Sequence, residues 1–334
     1  MIKIIAEAGV NHNGDFANAK RLVSLAKESG ADFVKFQTFK ADNVVTKDAV
    51  QAPYQITNTG KTESQYEMLK RLELTNEEFV DLDCYCKDSD IQFISTAFDE
   101  ESIEFLDTCI DQPFFKIASS EITNYFLLKK FAQTRKPVVL STGMSSLSEI
   151  DDAINCLIGF GTSESEITLL HCNTEYPTPA DDVNISAIRS LQESFSLPVG
   201  YSDHTLGSVA ACLAVAYGAT IIEKHFTLSK SMVGPDHKAS ADPNEIRNYI
   251  LEIRNAEKMI GDGIKQVMRS EKENILIARK SLVARKKIKI GEKFSTDNVT
   301  SKRPGNYMSP MLFEKLDGKL AVRDFLPNQP IEFE

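Results

Sequence analysis

Lys35 and Lys116 are cations set in otherwise apolar segments, and His204 and His225 close two successive apolar runs. Burying an ammonium is costly without an anionic partner, so the two lysines together point to a phosphate or carboxylate ligand. The two imidazoles can converge on one divalent ion and leave coordination positions open, as a catalytic metal requires. Other polar residues recur at equivalent places: Glu7, Gln37 beside Lys35, Ser95 with Thr96, Ser119 and Glu121 after Lys116, Ser141, His171, and Ser202 before His204. Any one of these could be a satisfied buried polar group, and two mouth histidines can be hydrogen-bonded without a metal. The plain reading does not account for the repetition. All five histidines, His12, His171, His204, His225 and His237, fall at run ends or in the loops just after them. His12 and His237 sit in loop motifs and receive no role. No His-x-His ends the first run, which argues against a metal-dependent amidohydrolase.

The elements that must carry these residues are short β-rich runs alternating with amphipathic segments up to about position 261. Candidate strands are Ile2–Ala8, Phe33–Thr38, Ile91–Thr96, Phe114–Ile117, Pro137–Ser141, Ile167–His171, Val199–Tyr201 and Thr220–His225. Their nearly continuous apolar content is that of parallel strands buried on both faces. Between them lie helical patterns such as Asp15–Ser29, stopped by Gly30, and a helix opened by Asp242-Pro243-Asn244-Glu245. Eight strands with crossovers predict a (β/α)8 TIM barrel, in which chemistry sits at the C-terminal strand ends. A doubly wound sheet is the alternative, but no Gly-rich fingerprint follows the first strand. The polar stretch from Lys40 to Glu73, including Ala52-Pro53-Tyr54-Gln55, predicts a loop over the active-site mouth. The expected domains are a barrel over 1–264, a linker over 265–280, and a small β-rich domain over 281–334. That last size is marginal for independent stability.

The chain has 334 residues, 42% hydrophobic and 26% charged, with a net charge of -10. This balance fits a soluble globular protein and disfavours nucleic acid or an anionic membrane surface as partner. The first residues enter a strand-like run with no signal-peptide pattern, and no apolar run is long enough to span a bilayer. The six cysteines are scattered and lack redox or zinc spacing, so a reduced, cytoplasmic setting is expected.

Nine ordered motifs resemble the sialic acid (N-acetylneuraminate) synthase family, including its legionaminate and pseudaminate relatives. They run from Ala6-Glu7-Ala8-Gly9-Val10-Asn11-His12-Asn13-Gly14 through Val34-Lys35-Phe36-Gln37-Thr38, Ser95-Thr96-Ala97-Phe98 and Phe115-Lys116-Ile117-Ala118-Ser119-Ser120-Glu121. Leu140-Ser141-Thr142-Gly143-Met144, His171-Cys172-Asn173-Thr174-Glu175-Tyr176-Pro177 and Ser202-Asp203-His204-Thr205 follow. The set ends with Glu223-Lys224-His225-Phe226-Thr227 and Gly234-Pro235-Asp236-His237, and Lys302-Arg303-Pro304-Gly305-Asn306 is similar to the family's antifreeze-like (SAF) domain.

The resemblance implies condensation of phosphoenolpyruvate with an N-acetylated hexose, breaking the C–O bond and releasing phosphate. It implies Mn2+ or Mg2+ on His204 and His225, polarising the sugar aldehyde, with Glu7 in the catalytic group. Lys35, Thr96, Lys116, Ser119, Ser141 and Ser202 match phosphoenolpyruvate contacts, and Thr174 stands near a phosphate contact. Gln37, Tyr176 and Asp236 match groups near the acceptor or metal, and Glu121 a sugar-hydroxyl contact. Arg303 matches a residue that reaches a partner subunit, implying a domain-swapped homodimer. Ala118-Ser119-Ser120-Glu121 stands where the family usually has Gly-Ser-Gly-Glu or Pro-Ser-Gly-Glu, and Tyr307 stands where Gly is common after Arg303-Pro304-Gly305-Asn306. The expected reaction is N-acetylneuraminate synthesis from N-acetylmannosamine. The alternatives are N,N'-diacetyllegionaminate synthesis from 2,4-diacetamido-2,4,6-trideoxymannose and a catalytically silent sugar-binding protein. Ala52-Pro53-Tyr54-Gln55 resembles legionaminate synthases, whereas His171-Cys172-Asn173-Thr174-Glu175-Tyr176 resembles N-acetylneuraminate synthases.

Overall fold

The computed structural model describes residues 1–51, 56, 58 and 63–332. The segment Ala52-Pro53-Tyr54-Gln55 lies outside the described residues. The chain divides into two compact units, Met1–Gly261 and Asp262–Glu334.

In the first unit, eight parallel strands close a barrel in chain order. They are β1 (Lys3–Gly9), β2 (Phe33–Thr38), β3 (Gln92–Ala97), β4 (Phe115–Ile117), β5 (Val138–Ser141), β6 (Ile167–Cys172), β7 (Val199–Asp203) and β8 (Ile221–His225). Closure is made by β1 on β8, with Ile5 opposite Glu223 and Glu7 opposite His225. Strand side chains alternate between faces, and the inward set changes character along the barrel axis. Ile5, Phe33, Ile94, Phe114, Val139, Leu170 and Ile221 form a separate apolar plug in the lower half. Two residues further on, the same faces carry Glu7, Lys35, Thr96, Lys116, Ser141, Cys172 and Glu223. The outward set, such as Ile4, Val34, Leu140 and Ile222, joins the helices in the main core. Gly200 takes an inward position on β7 because a Cβ there would stand 2.5 Å from the Ile221 carbonyl oxygen and 2.6 Å from Leu170 Cδ2.

The helices end where local chemistry says they should. Asp15 caps Phe16–Ser29 by accepting from Ala17 and Asn18, and Gly30 stops it in the left-handed region. Asp242 and Glu245 form a reciprocal capping box on Pro243–Ile260. The excursion after β2 contains a short helix Ala41–Val44 and a capped helix Gln65–Leu72. Met68 and Leu72 pack with Val10 and Phe39, and Val44, Leu69 and Phe98 lie against them.

The second unit holds an antiparallel pair, β9 (Ser281–Ala284) and β10 (Val299–Lys302). Its own core includes Leu282, Ile288, Phe294, Val299, Leu316 and Phe325. The stretch before β9 keeps apolar side chains in solvent, including Ile264, Val267, Leu276 and Ile277. Among the described residues no helix is long and apolar enough to cross a membrane.

Candidate active site

A cavity of about 440 Å³ opens at the C-terminal end of the barrel. Glu7, Lys35, Gln37, Thr96, Lys116, Ser119, Glu121, Ser141, Thr174, Tyr176, Ser202, His204 and His225 all line it. Asp236 lies in an adjoining recess with Gln37, Tyr176 and His225. Arg303 belongs to the second unit, where it is exposed and its Nε donates to the Ala278 carbonyl.

The floor is an ionic lattice sitting on the apolar plug. Lys35 Nζ is 2.8 Å from Glu7 Oε2 and 3.7 Å from Glu223 Oε2, and donates to Thr96 Oγ1 at 3.1 Å. Glu223 Oε1 lies 3.7 Å from Lys116 Nζ and accepts from Ser202 Oγ at 3.0 Å. Gln37 Nε2 donates to Glu7 Oε1 at 3.1 Å. The two buried lysines therefore already have anionic neighbours within the protein. Burial disfavours every charge here, but the partners differ in strength. Burial wins at Glu7, pushing its carboxyl up to about 7 despite Lys35. At Glu223 it is outweighed by Lys116 and Lys35, which hold the carboxylate at about 2. Burial opposes the Lys35 charge, yet Glu223 and Glu7 keep it above its ordinary value, while Lys116, with more distant partners, is lowered by burial. Lys116 is thus the floor cation with most to gain from an incoming anion.

One wall is made of turns that present small donors. Ser119 Oγ accepts from Gly143 N at 3.0 Å and sits 3.2 Å from Cys172 Sγ. Ser141 Oγ is buried with no hydrogen-bond partner among the described residues, so it is available to a ligand. Glu121 is oriented by Ser120 and Asn124 at 2.9 and 2.8 Å. Opposite, the rings of His204 and His225 stand 5.6 Å apart, with the Tyr176 ring 4.1 Å from His204. Above, Phe39, Val44, Leu69 and Phe98 supply an apolar roof.

A NeuB family model matches residues 22–265, and a SAF domain model matches residues 279–334. The chain belongs to the NeuB family. It is 51% identical to an N,N'-diacetyllegionaminic acid synthase of Campylobacter jejuni, over 98% of both chains. It is 46% identical to an N,N'-diacetyllegionaminic acid synthase of Legionella pneumophila, covering 94% of this chain and 89% of the relative. A crystal structure of an N-acetylneuraminic acid synthetase from Leptospira borgpetersenii superposes with a TM-score of 0.70 at 34% identity, over 82% of this chain and 90% of that one.

This NeuB-family cavity suits a divalent cation between the two histidines. His204 Nδ1 is engaged by the Asn173 carbonyl, which leaves its other ring nitrogen for the cavity. His225 Nδ1 is buried without a partner among the described residues. Burial lowers His204 to about 4 and His225 well below its usual value, so both are neutral, the form that binds metals. Among the described residues no group of three or more His, Cys, Asp or Glu is poised for a metal, so His204 and His225 are the two imidazoles that could hold one here.

The sequence reading missed Glu223, the carboxylate both lysines share. Its signal was available: counting back two from His225 reaches the same barrel face. His171 shows the converse. It ends a strand, but its ring faces outward, bonding the Val183 carbonyl at 2.8 Å and stacking on Tyr201. His12 and His237 tie loops together, with Gly14 N donating to His12 Nδ1 and His237 bonding Thr227 and Asn13.

Proposed function

We propose that this chain condenses phosphoenolpyruvate with 2,4-diacetamido-2,4,6-trideoxymannose and water, giving N,N'-diacetyllegionaminate and phosphate. The observation that carries the reaction is the pairing in one cavity of a buried Lys35–Lys116 floor with two neutral, inward-facing histidines. The acceptor rests on the 51% identity to a legionaminic acid synthase, against 34% to the sialic acid synthetase. Phe39, Val44, Leu69 and Phe98, which line the cavity beside Gln65, agree with the same choice, because they offer apolar surface for a methyl end. N-acetylmannosamine, the sugar first expected from the sequence, is thereby the second reading.

Lys35, Lys116, Thr96, Ser119, Ser141 and Ser202 bind the carboxylate and phosphate of phosphoenolpyruvate and hold its methylene carbon toward the acceptor aldehyde. That carbon forms the new C–C bond, water adds at the neighbouring carbon, and the C–O bond to phosphate breaks. Mn2+ or Mg2+ held by His204 and His225 would supply Lewis-acid polarisation of the aldehyde. Glu7, with its carboxyl near neutrality, takes and returns protons between water and the sugar oxygen. Gln37, Tyr176 and Asp236 line the acceptor side, and Glu121 orients a sugar hydroxyl. Thr174 narrows the phosphate end. Fixing both substrates supplies much of the rate.

The chain acts in the cytoplasm as a homodimer in which Arg303 of one copy completes the other copy's site. Ile264 at 64% exposure and Ile277 at 67% support this, since a second copy would cover them. Light scattering at micromolar concentration reads the stoichiometry. The deciding assay is phosphate release with Mn2+, comparing the diacetamido sugar with N-acetylmannosamine. Preference for N-acetylmannosamine would reverse the acceptor, and no release with either would remove the synthase reading.

A further inference from the structure

One residue before each candidate metal ligand, on the outer face of the barrel, stands a buried ion pair that the proposed reaction does not use. β7 and β8 run side by side with Ser202 opposite Glu223 and Asp203 opposite Lys224. Inside, Ser202 donates to Glu223. Outside, Lys224 Nζ lies 3.2 Å from Asp203 Oδ2, with side chains 5% and 0% exposed. Asp203 Oδ1 accepts from both N and Oγ1 of Thr205, at 2.8 and 2.7 Å, so its side chain wraps around the residue between them, His204. Lys224 Nζ also donates to the Thr205 carbonyl. Tyr249, from the helix Pro243–Ile260, donates to Asp203 Oδ2 at 2.8 Å and places its ring 5.2 Å from the ammonium.

A buried pair of charges is poor evidence of stability, because desolvation offsets the attraction and apolar replacements are often as stable. Its geometric effect is more specific. The pair fixes the lateral register of the two strands at the level of His204 and His225, and Thr205 fixes the backbone beyond His204. We infer that Asp203, Lys224 and Tyr249 are positioning residues that set the separation and ring orientation of His204 and His225 for a divalent cation. This inference rests on the metal reading of the two histidines. The outer shell of a metal site commonly contributes 10–100-fold in affinity.

The test is the Asp203→Asn/Lys224→Met double variant, which removes both charges, keeps the oxygen that accepts from Thr205 and turns an amide N–H toward the Tyr249 hydroxyl, which can accept it. Tyr249→Phe runs alongside it, because it deletes a single hydroxyl. Free Mn2+ is followed by electron paramagnetic resonance, melting is recorded in EDTA, and the histidine ring signals of metal-free protein are read after histidine-selective 15N labelling. Expected are a 10–100-fold weaker Mn2+ affinity for the double variant and a several-fold loss for Tyr249→Phe, with the KM for phosphoenolpyruvate unchanged. The ring signals of His204 and His225 should move while those of His12 and His237 stay. Lower melting with wild-type Mn2+ affinity and unmoved ring signals would overturn the inference and leave a purely structural ion pair. If the double variant does not fold, Tyr249→Phe decides by the same readings. If wild-type protein binds no Mn2+, the metal reading fails by itself, and the metal-free ring signals still decide whether the pair orients the imidazoles.

Discussion

The Glu223 carboxylate stands 3.7 Å from the Lys116 ammonium, and both groups are almost fully buried above the apolar plug. Removing one charge of such a pair strands the other in a low dielectric. Glu223→Gln should therefore cost about 3–5 kcal/mol of stability in the ligand-free protein. Added phosphate should recover more melting temperature in the variant than in wild type, since it supplies the missing anion. Equal phosphate shifts in both proteins would mean that the anion does not sit on this floor.

Metal removal should be decisive. EDTA treatment followed by buffer exchange should abolish phosphate release, and Mn2+ should restore it. His204→Ala should lose activity by at least about a hundredfold, because disturbing even the outer shell of a metal site costs up to about that much, and should resist rescue. Full activity in EDTA would sink the metal assignment.

The roof predicts how acceptors are sorted. A sugar bearing a hydroxyl at its sixth carbon should be used about 10–100-fold less efficiently than its 6-deoxy counterpart, the discrimination one such group allows. Leu69→Gln should narrow that ratio by raising kcat/KM for the hydroxylated sugar. An unchanged ratio would move the sixth carbon away from Leu69.

At Gly200 any side chain would meet backbone. Gly200→Ala puts a carbon against the Ile221 carbonyl oxygen and Leu170 Cδ2 inside the barrel, and although the leucine can turn away, the backbone oxygen cannot. Overpacking of this kind should destabilise by about 2–3 kcal/mol, read by urea unfolding. Wild-type stability would mean that β7 and β8 separate more readily than their register implies.

Acid should weaken the fold through histidines buried in the neutral form. His12 is held down at about 4 by burial, against an ordinary 6.5. Between those values the unfolded chain binds a proton that the folded chain refuses. Stability is therefore intact above pH 6.5 and is lost as pH falls toward 4, by about 3 kcal/mol for this residue. His12→Gln should flatten the decline in melting temperature across that window, and an unaltered slope would show that His12 is accessible to protons in the native state.

Strand positions were legible from sequence because parallel barrel strands are uniformly apolar, and the described boundaries agree with the expected runs within one or two residues. The residues at the strand ends were legible for the same reason, since a lysine in such a run is conspicuous. Glu223 was harder to find, because it precedes a lysine and a histidine that draw attention first, and only the face alternation separates it from Lys224. The orientation of His171 was hidden because strand-end position does not specify face. The internal anions that balance Lys35 and Lys116 needed three dimensions, as Glu7 and Glu223 meet only when β8 closes on β1.

The plug of Ile5, Phe33, Ile94, Phe114, Val139, Leu170 and Ile221 has a kinetic corollary. It makes the barrel a cul-de-sac with one door. A molecule bound at the lysine floor must arrive before anything that occupies the level of His204 and His225, and cannot depart while that visitor remains. Initial-rate patterns should therefore be those of a strict queue, with phosphoenolpyruvate first in line.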